Sequence, residues 1–338
     1  MYRIRDSSMK NIGINGFGRI GRYLTRLSLE RDDMNVVQVN DLADINTLAH
    51  LLKYDSVHRG LGYEFTIEGQ TLVFENGKKI TFTQHKEPSL IPWGDLEVEI
   101  VVESTGVFRT KELASQHLVG GAKKVIISAP AKSDDVKTVV IGVNDDLIEG
   151  DEIVLSNASC TTNSAAPMIQ VIKELCEIES AYITTVHSYT TDQRLHDAPH
   201  ADLRRARAAA QSIVPTTTGA AKALTKIFPE LDGFMGGCGI RVPVPDGSLT
   251  DLTINVKSNP PSVEQINAAF NKAAKGELKG ILSYIEDPVV STDILGNSHS
   301  CVFDSLLTSV VGNMIKIVGW YDNEAGYSNR LVDLIHKI

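Results

Sequence analysis

The spacing of apolar residues in the first half of the chain predicts strands that alternate with helices. A short apolar run at 11–15 predicts a buried strand, an amphipathic helix follows it through Glu30, and a second strand is predicted at 35–40. Near-continuous apolar runs, which are typical of buried parallel strands, follow at 99–103, 124–128 and 139–143. Between the strand at 35–40 and the run at 99–103 lies a β-rich stretch at 63–84, in which Asn76-Gly77 predicts a hairpin with a type I′ turn.

The second half of the chain has a different pattern. Strand-like segments that few helices separate occur at 182–189, 235–244, 248–257, 302–308 and 314–321. This order predicts a mixed or antiparallel sheet with helices packed on one face. Apolar residues at helical spacing in 324–338 predict a final helix. The two halves together predict an α/β protein with a second domain of the α+β type.

The turn after the first predicted strand carries a glycine-rich motif. Its residues are Gly16, Phe17, Gly18, Arg19, Ile20 and Gly21. In such a motif the first glycine makes a tight turn, the second lets the backbone approach a pyrophosphate, and the third lets the helix pack closely on the strand. Asp41 ends the second strand about 20 residues after the motif, where a carboxylate binds ribose hydroxyls.

These features predict a Rossmann dinucleotide-binding domain with NAD as its cofactor. The Asp41 carboxylate repels the 2′-phosphate of NADP, and Leu42 supplies no cation to offset that repulsion. Ser128 ends the predicted strand at 124–128, where small residues leave room for a dinucleotide. The glycine motif, Asp41 and Ser128 are therefore the candidate cofactor-binding residues.

Cys160 is a candidate nucleophile. It stands among small polar residues between a predicted strand at 152–156 and a predicted helix at 165–175. The free N–H groups and the positive dipole of a helix N-terminus stabilise an anion, and the thiolate is the nucleophilic form of cysteine. Because inert buried cysteines are common, the position alone leaves both interpretations open.

His187 is the candidate partner of Cys160. It lies near the end of a β-branched run at 181–189 that predicts a strand. A histidine there could hold the thiolate as an ion pair and transfer protons during turnover. A lone histidine on a strand is more often an ordinary core or surface residue, and the pairing with Cys160 is what favours catalysis.

Composition predicts a soluble two-domain protein. The chain has 338 residues and a mass of 36.8 kDa, and 42% of its residues are hydrophobic, which is enough for a large core. No apolar run approaches the ~18 residues of a membrane helix. Residues 1–8 lack the apolar centre of a secretory signal, and Met9 is a candidate natural start. Four cysteines without C-x-x-C spacing, one of them a nucleophile, predict a reducing compartment, the cytoplasm.

Charge and histidine spacing limit the other partners. The net charge of −9 argues against nucleic acid as the main partner. The basic run at 203–207 is either a solvated loop or an attractor for phosphorylated substrates. His196 and His200 have the spacing of a helical metal pair, but Pro199 between them argues against a shared helix face, so no metal is predicted.

Five motifs, in order, resemble those of the phosphorylating glyceraldehyde-3-phosphate dehydrogenases. They are NGFGRIGR at 15–22, SCTTN at 159–163, TTTGAAK at 216–222, RVP at 241–243 and WYDNE at 320–324. The resemblance implies an NAD-binding domain at 1–159, a catalytic domain at 160–321, and a helix at 322–338 that completes the first domain. It also implies a homotetramer, and it makes the basic run part of a loop that lines the cofactor site near a subunit interface.

The resemblance further implies a mechanism. Cys160 adds to the aldehyde of glyceraldehyde 3-phosphate while His187 manages the proton, and NAD accepts a hydride. Inorganic phosphate then attacks the resulting thioester. By resemblance, Thr190 and Arg241 bind the substrate's phosphate, and Asn323 fixes the nicotinamide carboxamide. The residues implied for the attacking phosphate are Ser159, Thr161, Thr218 and Gly219, with Arg205 near both phosphates.

Two alternative functions remain open. Erythrose-4-phosphate dehydrogenases share the fold, the cysteine and the histidine, but typically lack the Thr-Thr-Gly-Ala-Ala sequence seen here at 217–221 and the threonine seen at 190. A binding protein that keeps the fold without catalysis is the other alternative. The presence of Cys160, His187 and Asp41 argues against it as the primary role.

Overall fold

A computed structural model describes residues Met9–Ile338, and the segment at 1–8, which precedes the candidate start at Met9, lies outside the described residues. The described chain forms two compact units. The first takes the residues up to Thr138, together with Ile148–Ala158 and Leu331–Ile338. The second takes Val139–Leu147 and Ser159–Arg330.

The described part of the first unit contains a nine-stranded sheet. Its strands are β1 (Lys10–Asn15), β2 (Met34–Asn40), β3 (Phe65–Glu68), β4 (Thr71–Phe74), β5 (Lys79–Thr83), β6 (Ile100–Glu103), β7 (Lys124–Ile127), β8 (Lys137–Thr138) and β9 (Val154–Ser156). Its helices are α1 (Arg19–Leu29), α2 (Ile45–Lys53), α3 (Lys111–Ala114) and α4 (Gln116–Val119). The strand order is β3-β4-β5-β2-β1-β6-β7-β9-β8.

The centre of this sheet confirms the predicted Rossmann arrangement. β1 pairs in parallel with β2 on one side and with β6 on the other. Ile12, Ile14, Val36 and Val101 are fully buried, because the sheet is covered on both faces. The order of the strands reverses between β1 and β6, and ligands of such sheets bind at the carboxyl ends of the strands on either side of this point.

The predicted hairpin forms, but its turn type is different. β4 and β5 pair antiparallel on either side of the predicted turn residues, Asn76 and Gly77. Gly77 has a φ of +84°, whereas Asn76 does not have the positive φ that a type I′ turn needs at both central residues. The Gly77 N–H donates to the carbonyl of Phe74 at 2.9 Å. The connection is therefore an ordinary turn closed by a left-handed glycine.

The predicted strand at 139–143 is wrong. Only Lys137–Thr138 pairs with a neighbour, and the following apolar residues are buried without joining the sheet. The Val140 N–H donates to the side chain of Asn144 at 2.7 Å, and Gly142 has a φ of +83°. A local polar turn therefore satisfies this backbone in place of a strand partner.

The described part of the second unit contains an eight-stranded sheet. Its strands are β10 (Ile178–Ser188), β11 (Val214–Thr216), β12 (Met235–Val242), β13 (Ser248–Val256), β14 (Leu282–Ile285), β15 (Cys301–Asp304), β16 (Ser309–Val311) and β17 (Met314–Tyr321). The order is β11-β12-β10-β13-β17-β15-β14, with β16 paired to β17. β10 pairs in parallel with β12 and antiparallel with β13, so the prediction of a mixed sheet is confirmed.

Four helices of at least eight residues belong to the described residues after Ala158. They are α5 (Cys160–Leu175), α6 (Ala220–Ile227), α7 (Val263–Lys275) and α8 (Ala325–Lys337). The end of α8 belongs to the first unit, where the Lys10 ammonium donates to the carbonyls of Ile335 and Ile338 at 2.8 and 2.7 Å. Among the described residues, none of the helices is both long enough and apolar enough to cross a membrane.

Candidate active site

Cys160 is the first residue of α5, which begins five residues before the predicted helix at 165–175, so the thiol lies in the first turn. Ser159 is the N-cap, and its hydroxyl oxygen accepts a hydrogen bond from the Thr162 N–H at 3.1 Å. The preceding Ala158 has a φ of 54°, a left-handed conformation that turns the chain sharply from β9 into the helix. This strand-to-helix turn places the thiol at the start of a helix whose first turns are buried.

His187 contacts Cys160 directly. Its Nε2 atom lies 3.4 Å from Sγ of Cys160. The ring is buried near the end of β10, which is an inner strand of the second sheet. A nucleophile and a base at hydrogen-bond distance are the minimum requirement for nucleophilic catalysis. The structure therefore brings together the two residues that the sequence predicts as a catalytic pair.

Arg241 contacts the other side of the His187 ring. The register of β10 with β12 places Arg241 opposite His187. Its Nη1 atom lies 2.7 Å from Nδ1 of His187 and 2.9 Å from the carbonyl oxygen of Ser188, which itself lies 2.8 Å from Nδ1. A guanidinium only donates, so when it donates to Nδ1 the proton of a neutral ring lies on Nε2, facing Cys160.

Burial acts against the charged forms of both Cys160 and His187. Burial raises the pKa of the Cys160 thiol to about 11, although the Arg241 charge and hydrogen bonding from Thr161 act in the opposite direction. Burial also lowers the pKa of His187 to about 3, and the nearby Arg241 charge acts in the same direction. Desolvation therefore opposes the thiolate that the helix N-terminus predicts, whereas the Arg241 charge and the Thr161 hydrogen bonds favour it.

Tyr321 is a part of the site that the sequence did not identify. Its hydroxyl lies 2.9 Å from the hydroxyl of Thr161 and 2.9 Å from that of Thr185. Its ring meets the His187 ring edge-on, with 6.0 Å between the centroids. Tyr321 thus ties the first turn of α5 to β10 and fixes the distance between Cys160 and His187. A buried tyrosine at a strand end gives no sequence signal of such a contact.

Arg205 and the other predicted phosphate-binding residues outside the Cys160 surroundings have local partners in the second unit. The Arg205 guanidinium donates to the Thr216 hydroxyl at 2.9 Å and forms an ion pair with Asp192. Thr218 accepts a hydrogen bond from Ala220 at 3.2 Å, and Gly219 is the N-cap of α6. Thr190 bonds to Gln193 through its N–H at 3.4 Å.

The two arginines lie close enough for their charges to interact. Burial lowers the pKa of the Arg241 guanidinium, and the charge of Arg205 acts in the same direction. Two cations that repel each other are favourable for binding an anion between or beside them. Of the predicted phosphate-binding residues, Ser159, Thr161 and Arg241 are the ones with contacts to the Cys160 surroundings.

The Asn323 side chain is held in one orientation. Its Oδ1 atom accepts hydrogen bonds from the Ser188 hydroxyl at 2.9 Å and the Ser248 hydroxyl at 2.7 Å. The side chain is 6% exposed, and its Nδ2 group donates to no residue within Met9–Ile338. Because both serines donate to the oxygen, the NH₂ group is the part that a ligand can bind. The two serines are not predictable from the sequence motifs.

The glycine motif in the first unit has the geometry of a dinucleotide loop. Gly16 has a φ of +94°, and a Cβ atom built on it would lie 2.8 Å from the backbone nitrogen of Thr105. A Cβ built on Gly21 would lie 2.4 Å from the Gly16 carbonyl oxygen. Gly18 is the N-cap of α1, and nothing lies within 4 Å of its Cβ position. The loop therefore leaves open space over a helix N-terminus, which suits a pyrophosphate.

Asp41 holds this loop in place, and the remaining candidate cofactor residues have partners of their own. The Asp41 carboxylate accepts hydrogen bonds from the backbone N–H groups of Phe17 at 2.7 Å and Ala43 at 3.0 Å. Arg19 pairs with Asp55 at 2.6 Å. The Phe17 ring packs on Phe82, Ile20 is half-buried in α1, and the Ser128 hydroxyl donates to the Glu103 carbonyl at 3.0 Å.

The fold and the site define a class of protein, the dinucleotide-binding dehydrogenases that use a cysteine nucleophile. Two family models match the chain: the NAD binding domain of glyceraldehyde 3-phosphate dehydrogenase over residues 10–111, and the C-terminal domain of the same enzyme over residues 159–323. The chain therefore belongs to the glyceraldehyde 3-phosphate dehydrogenase family. The prediction of this family and of NAD as cofactor is confirmed.

Individual relatives are similar in sequence to this chain over nearly its whole length. The glyceraldehyde-3-phosphate dehydrogenase of Mycobacterium avium is 54% identical over 330 residues, which cover 96% of this chain and 97% of the relative. Glyceraldehyde-3-phosphate dehydrogenase 2 of Streptomyces avermitilis is 55% identical over 326 residues, with 96% of each chain covered. The enzyme of Geobacillus stearothermophilus is 55% identical over 325 residues, with the same coverage.

Proposed function

We propose that this chain oxidises glyceraldehyde 3-phosphate to 1,3-bisphosphoglycerate, with NAD⁺ and inorganic phosphate as co-substrates. The observation that carries the proposal is the 3.4 Å contact between Cys160 Sγ and His187 Nε2 at the start of α5. The relatives named above, each a glyceraldehyde-3-phosphate dehydrogenase, support the choice of substrate. They also favour the triose over erythrose 4-phosphate.

Cys160 forms and later breaks a bond to the substrate carbon. The sulfur adds to the aldehyde carbon, and the thiol proton passes through His187 to the carbonyl oxygen, which gives a hemithioacetal. His187 then removes the hydroxyl proton of this adduct, and a thioester remains on Cys160. NAD⁺, when bound, supplies the hydride acceptor. An oxygen of inorganic phosphate attacks the thioester, Cys160 leaves as the thiolate, and the product is an acyl phosphate.

Arg241 links substrate binding to the protonation of His187. When a phosphate group draws the guanidinium away from Nδ1, the ring can take its other tautomer: the proton leaves Nε2, and Nδ1 becomes protonated and donates to the Ser188 carbonyl, 2.8 Å away. The Nε2 atom then becomes the acceptor that faces the Cys160 thiol. The nearby positive charge that opposes protonation of His187 is moved away at the same time. The base thus becomes competent when the phosphorylated substrate is in place.

The two phosphates are held by hydroxyl, backbone and guanidinium donors. We assign Arg241 and Thr190 to the substrate's phosphate, because a guanidinium binds phosphate oxygens through charge-assisted hydrogen bonds. Ser159, Thr161, Thr218 and Gly219 are assigned to the attacking phosphate, with Arg205 near both. The Thr161 hydroxyl can donate to this phosphate while it accepts from the Tyr321 hydroxyl.

The residues present fit the cofactor. The open space over Gly18 suits the pyrophosphate, and Asp41 at the end of β2 suits the adenosine ribose. Ser128 is assigned to the same cofactor, and the free NH₂ group of Asn323 suits the oxygen of the nicotinamide carboxamide. In this assignment residues 1–159 with 322–338 form the cofactor domain, and residues 160–321 form the catalytic domain.

The proposed assembly is a homotetramer in the cytoplasm. Three large apolar side chains in the basic loop region are exposed, Leu195 at 68%, Leu203 at 81% and Ile213 at 69%. In the proposed assembly a neighbouring subunit covers these side chains. All four cysteines are free thiols, which suits a reducing compartment.

The function is tested by following NADH in the purified protein. We expect turnover with glyceraldehyde 3-phosphate that depends on inorganic phosphate, and a much smaller kcat/KM with erythrose 4-phosphate. Turnover that is indifferent to phosphate would contradict the proposed acyl phosphate product. A preference for erythrose 4-phosphate would reassign the substrate, and the absence of turnover with bound NAD would favour a binding protein.

A further inference from the structure

Glu103 is a buried carboxylate at the carboxyl end of β6, and only donors face it. Its Oε2 atom accepts from the Asn15 amide at 2.6 Å and lies 3.0 Å from Nε2 of His117. Its Oε1 atom accepts from the Thr105 N–H at 2.9 Å and from the Thr105 hydroxyl. The residue is 1% exposed, so water does not compete for these bonds.

The direction of the bond to His117 is fixed by Trp93. The indole nitrogen of Trp93 lies 3.1 Å from Nδ1 of His117, and an indole N–H can only donate. Nδ1 therefore carries no proton, and the ring's proton lies on Nε2, facing Glu103. Each oxygen of Glu103 thus has two donors, and only an ionised carboxylate accepts all four bonds.

From Glu103 the side-chain hydrogen bonds continue across the sheet through Asn15 and Asn40. The Asn40 amide donates to Oδ1 of Asn15 at 2.9 Å, and Oδ1 of Asn40 accepts from the Thr83 hydroxyl and the His85 N–H at 2.9 and 2.8 Å. The chain of bonds therefore joins the carboxyl ends of β6, β1 and β2 to the end of β5.

This chain of bonds touches the elements that surround the cofactor loop. Asn15 directly precedes Gly16, and Asn40 directly precedes Asp41. The backbone nitrogen of Thr105, which Glu103 holds, is the atom closest to the Cβ position of Gly16. Glu103 thus holds Asn15, the residue before Gly16, and also Thr105, whose backbone lies against Gly16.

We propose that Glu103 is the positioning residue for the cofactor loop, acting through Asn15 and Thr105 without touching the cofactor. This inference rests on the proposed function, in which the first unit binds NAD. Replacement of Glu103 by glutamine places an NH₂ group against two donors, so either the Asn15 side or the Thr105 side must move. The glycine loop then loses the shape that holds the pyrophosphate.

The test compares ligand affinities by isothermal titration calorimetry. For Glu103→Gln we expect Kd to rise about ten-fold for both NAD⁺ and ADP-ribose, the size of effect that one misplaced polar contact produces. ADP-ribose is included because it carries the pyrophosphate but no nicotinamide. The matched control is Asp304→Asn in the second unit, a buried carboxylate that accepts from the Leu306 N–H at 3.1 Å and the Trp320 indole at 3.0 Å. Asp304→Asn should lower the unfolding temperature and leave the Kd values for NAD⁺ and ADP-ribose unchanged.

A second pair of variants covers the case in which Glu103→Gln does not fold. Thr105→Val removes one donor to Glu103, whereas Thr105→Ser keeps it. We expect weaker binding of both ligands to the valine variant and wild-type binding to the serine variant. Wild-type Kd values in Glu103→Gln, or in Thr105→Val if the former does not fold, would overturn the inference. Failure of the wild-type protein to bind NAD⁺ would overturn the proposed function instead.

Discussion

Nη1 of Arg241 lies 2.7 Å from Nδ1 of His187, on the ring nitrogen that does not face Cys160. A guanidinium in this position disfavours a second proton on the imidazole, and it lowers the pKa of His187 together with burial. Burial and Arg241 therefore both act against the charged form of His187. Arg241 is consequently both a candidate phosphate ligand and a group that, after burial, lowers the pKa of His187.

The first prediction concerns the base. His187→Asn keeps a polar side chain of smaller size but removes proton transfer to and from Cys160. We expect kcat to fall roughly 10²- to 10⁴-fold, the range of general acid–base contributions. Steady-state NADH formation measures this loss, and titration with NAD⁺ checks that cofactor affinity is retained. Unchanged turnover together with an unchanged rate of thiol alkylation would rule out His187 as the partner of Cys160.

The second prediction concerns the substrate's phosphate. Arg241→Leu should chiefly impair the use of glyceraldehyde 3-phosphate, because one charge-assisted hydrogen bond contributes about 1.5 to 3 kcal/mol. Values of kcat/KM for glyceraldehyde 3-phosphate and for unphosphorylated glyceraldehyde separate this effect from general damage to the site. Equal losses with both aldehydes would mean that Arg241 acts only through His187.

The third prediction concerns the choice of cofactor. Asp41→Ala removes a carboxylate that accepts the Phe17 N–H at 2.7 Å and that would repel a 2′-phosphate. The preference for NAD⁺ over NADP⁺ should narrow, through weaker binding of the former and better tolerance of the latter. The ratio of kcat/KM for the two cofactors measures this change. A ratio that does not move would count against Asp41 as the ribose ligand.

The fourth prediction concerns stability as a function of pH. The pKa of His187 is about 3 in the folded protein and about 6.5 when unfolded, so the unfolded chain binds the proton more readily. The stability that His187 contributes is therefore complete above about pH 6.5 and is lost as the pH falls towards 3. Between pH 7 and pH 5 the wild type should lose about 2 kcal/mol more than His187→Asn.

Urea unfolding of the two proteins at both pH values measures this difference. The asparagine variant is the matched control, because every other titrating group is the same in both proteins. Parallel losses in the two proteins would show that His187 is not held unprotonated by its surroundings.

The fifth prediction concerns oxidation of Cys160. One helical turn after Cys160 the chain has Ser164, which accepts a hydrogen bond from the Thr250 hydroxyl at 3.1 Å and supplies no second thiol. Cys176 lies past the end of α5, roughly 24 Å away at ~1.5 Å per residue. Peroxide should therefore give a sulfenic acid or a glutathione adduct that external thiol reverses at low dose, and irreversible over-oxidation at high dose.

Peptide mass mapping of the oxidised protein tests this expectation. Ser164→Cys is the matched control, since a cysteine one turn away comes within reach of a disulfide. We expect a disulfide in that variant and none in the wild type. A wild-type disulfide from Cys160 to any of the three other cysteines would contradict the separation of Cys160 from the other thiols.

The parts of the protein that short motifs encode were predictable. The glycine motif and Asp41 lie within about 25 residues of each other, and their spacing follows from one strand, one turn and one helix. The start of α5 at Cys160 was likewise predictable, because a strand and a helix flank small polar residues. In both cases the structure is determined by residues that are close together in the sequence.

The parts that depend on distant neighbours were not predictable. Tyr321 and Glu103 owe their roles to partners from other strands and helices, and neither stands out by residue type. The apolar run at 139–143 looked like a strand because its burial is real, but a polar turn at Asn144 satisfies its backbone. The charge state of Cys160 also depends on burial, which no helix-terminus rule includes.

The central claim is that Cys160 carries the substrate as a thioester that phosphate resolves. Its most direct test is to mix the enzyme with NAD⁺ and glyceraldehyde 3-phosphate without inorganic phosphate, quench with acid, and map the peptides by mass spectrometry. We predict a burst of one NADH per active site, a 3-phosphoglyceroyl group on Cys160 that added phosphate removes, and neither signal in Cys160→Ser. An acyl group on another residue, or a burst that persists in Cys160→Ser, would contradict the account.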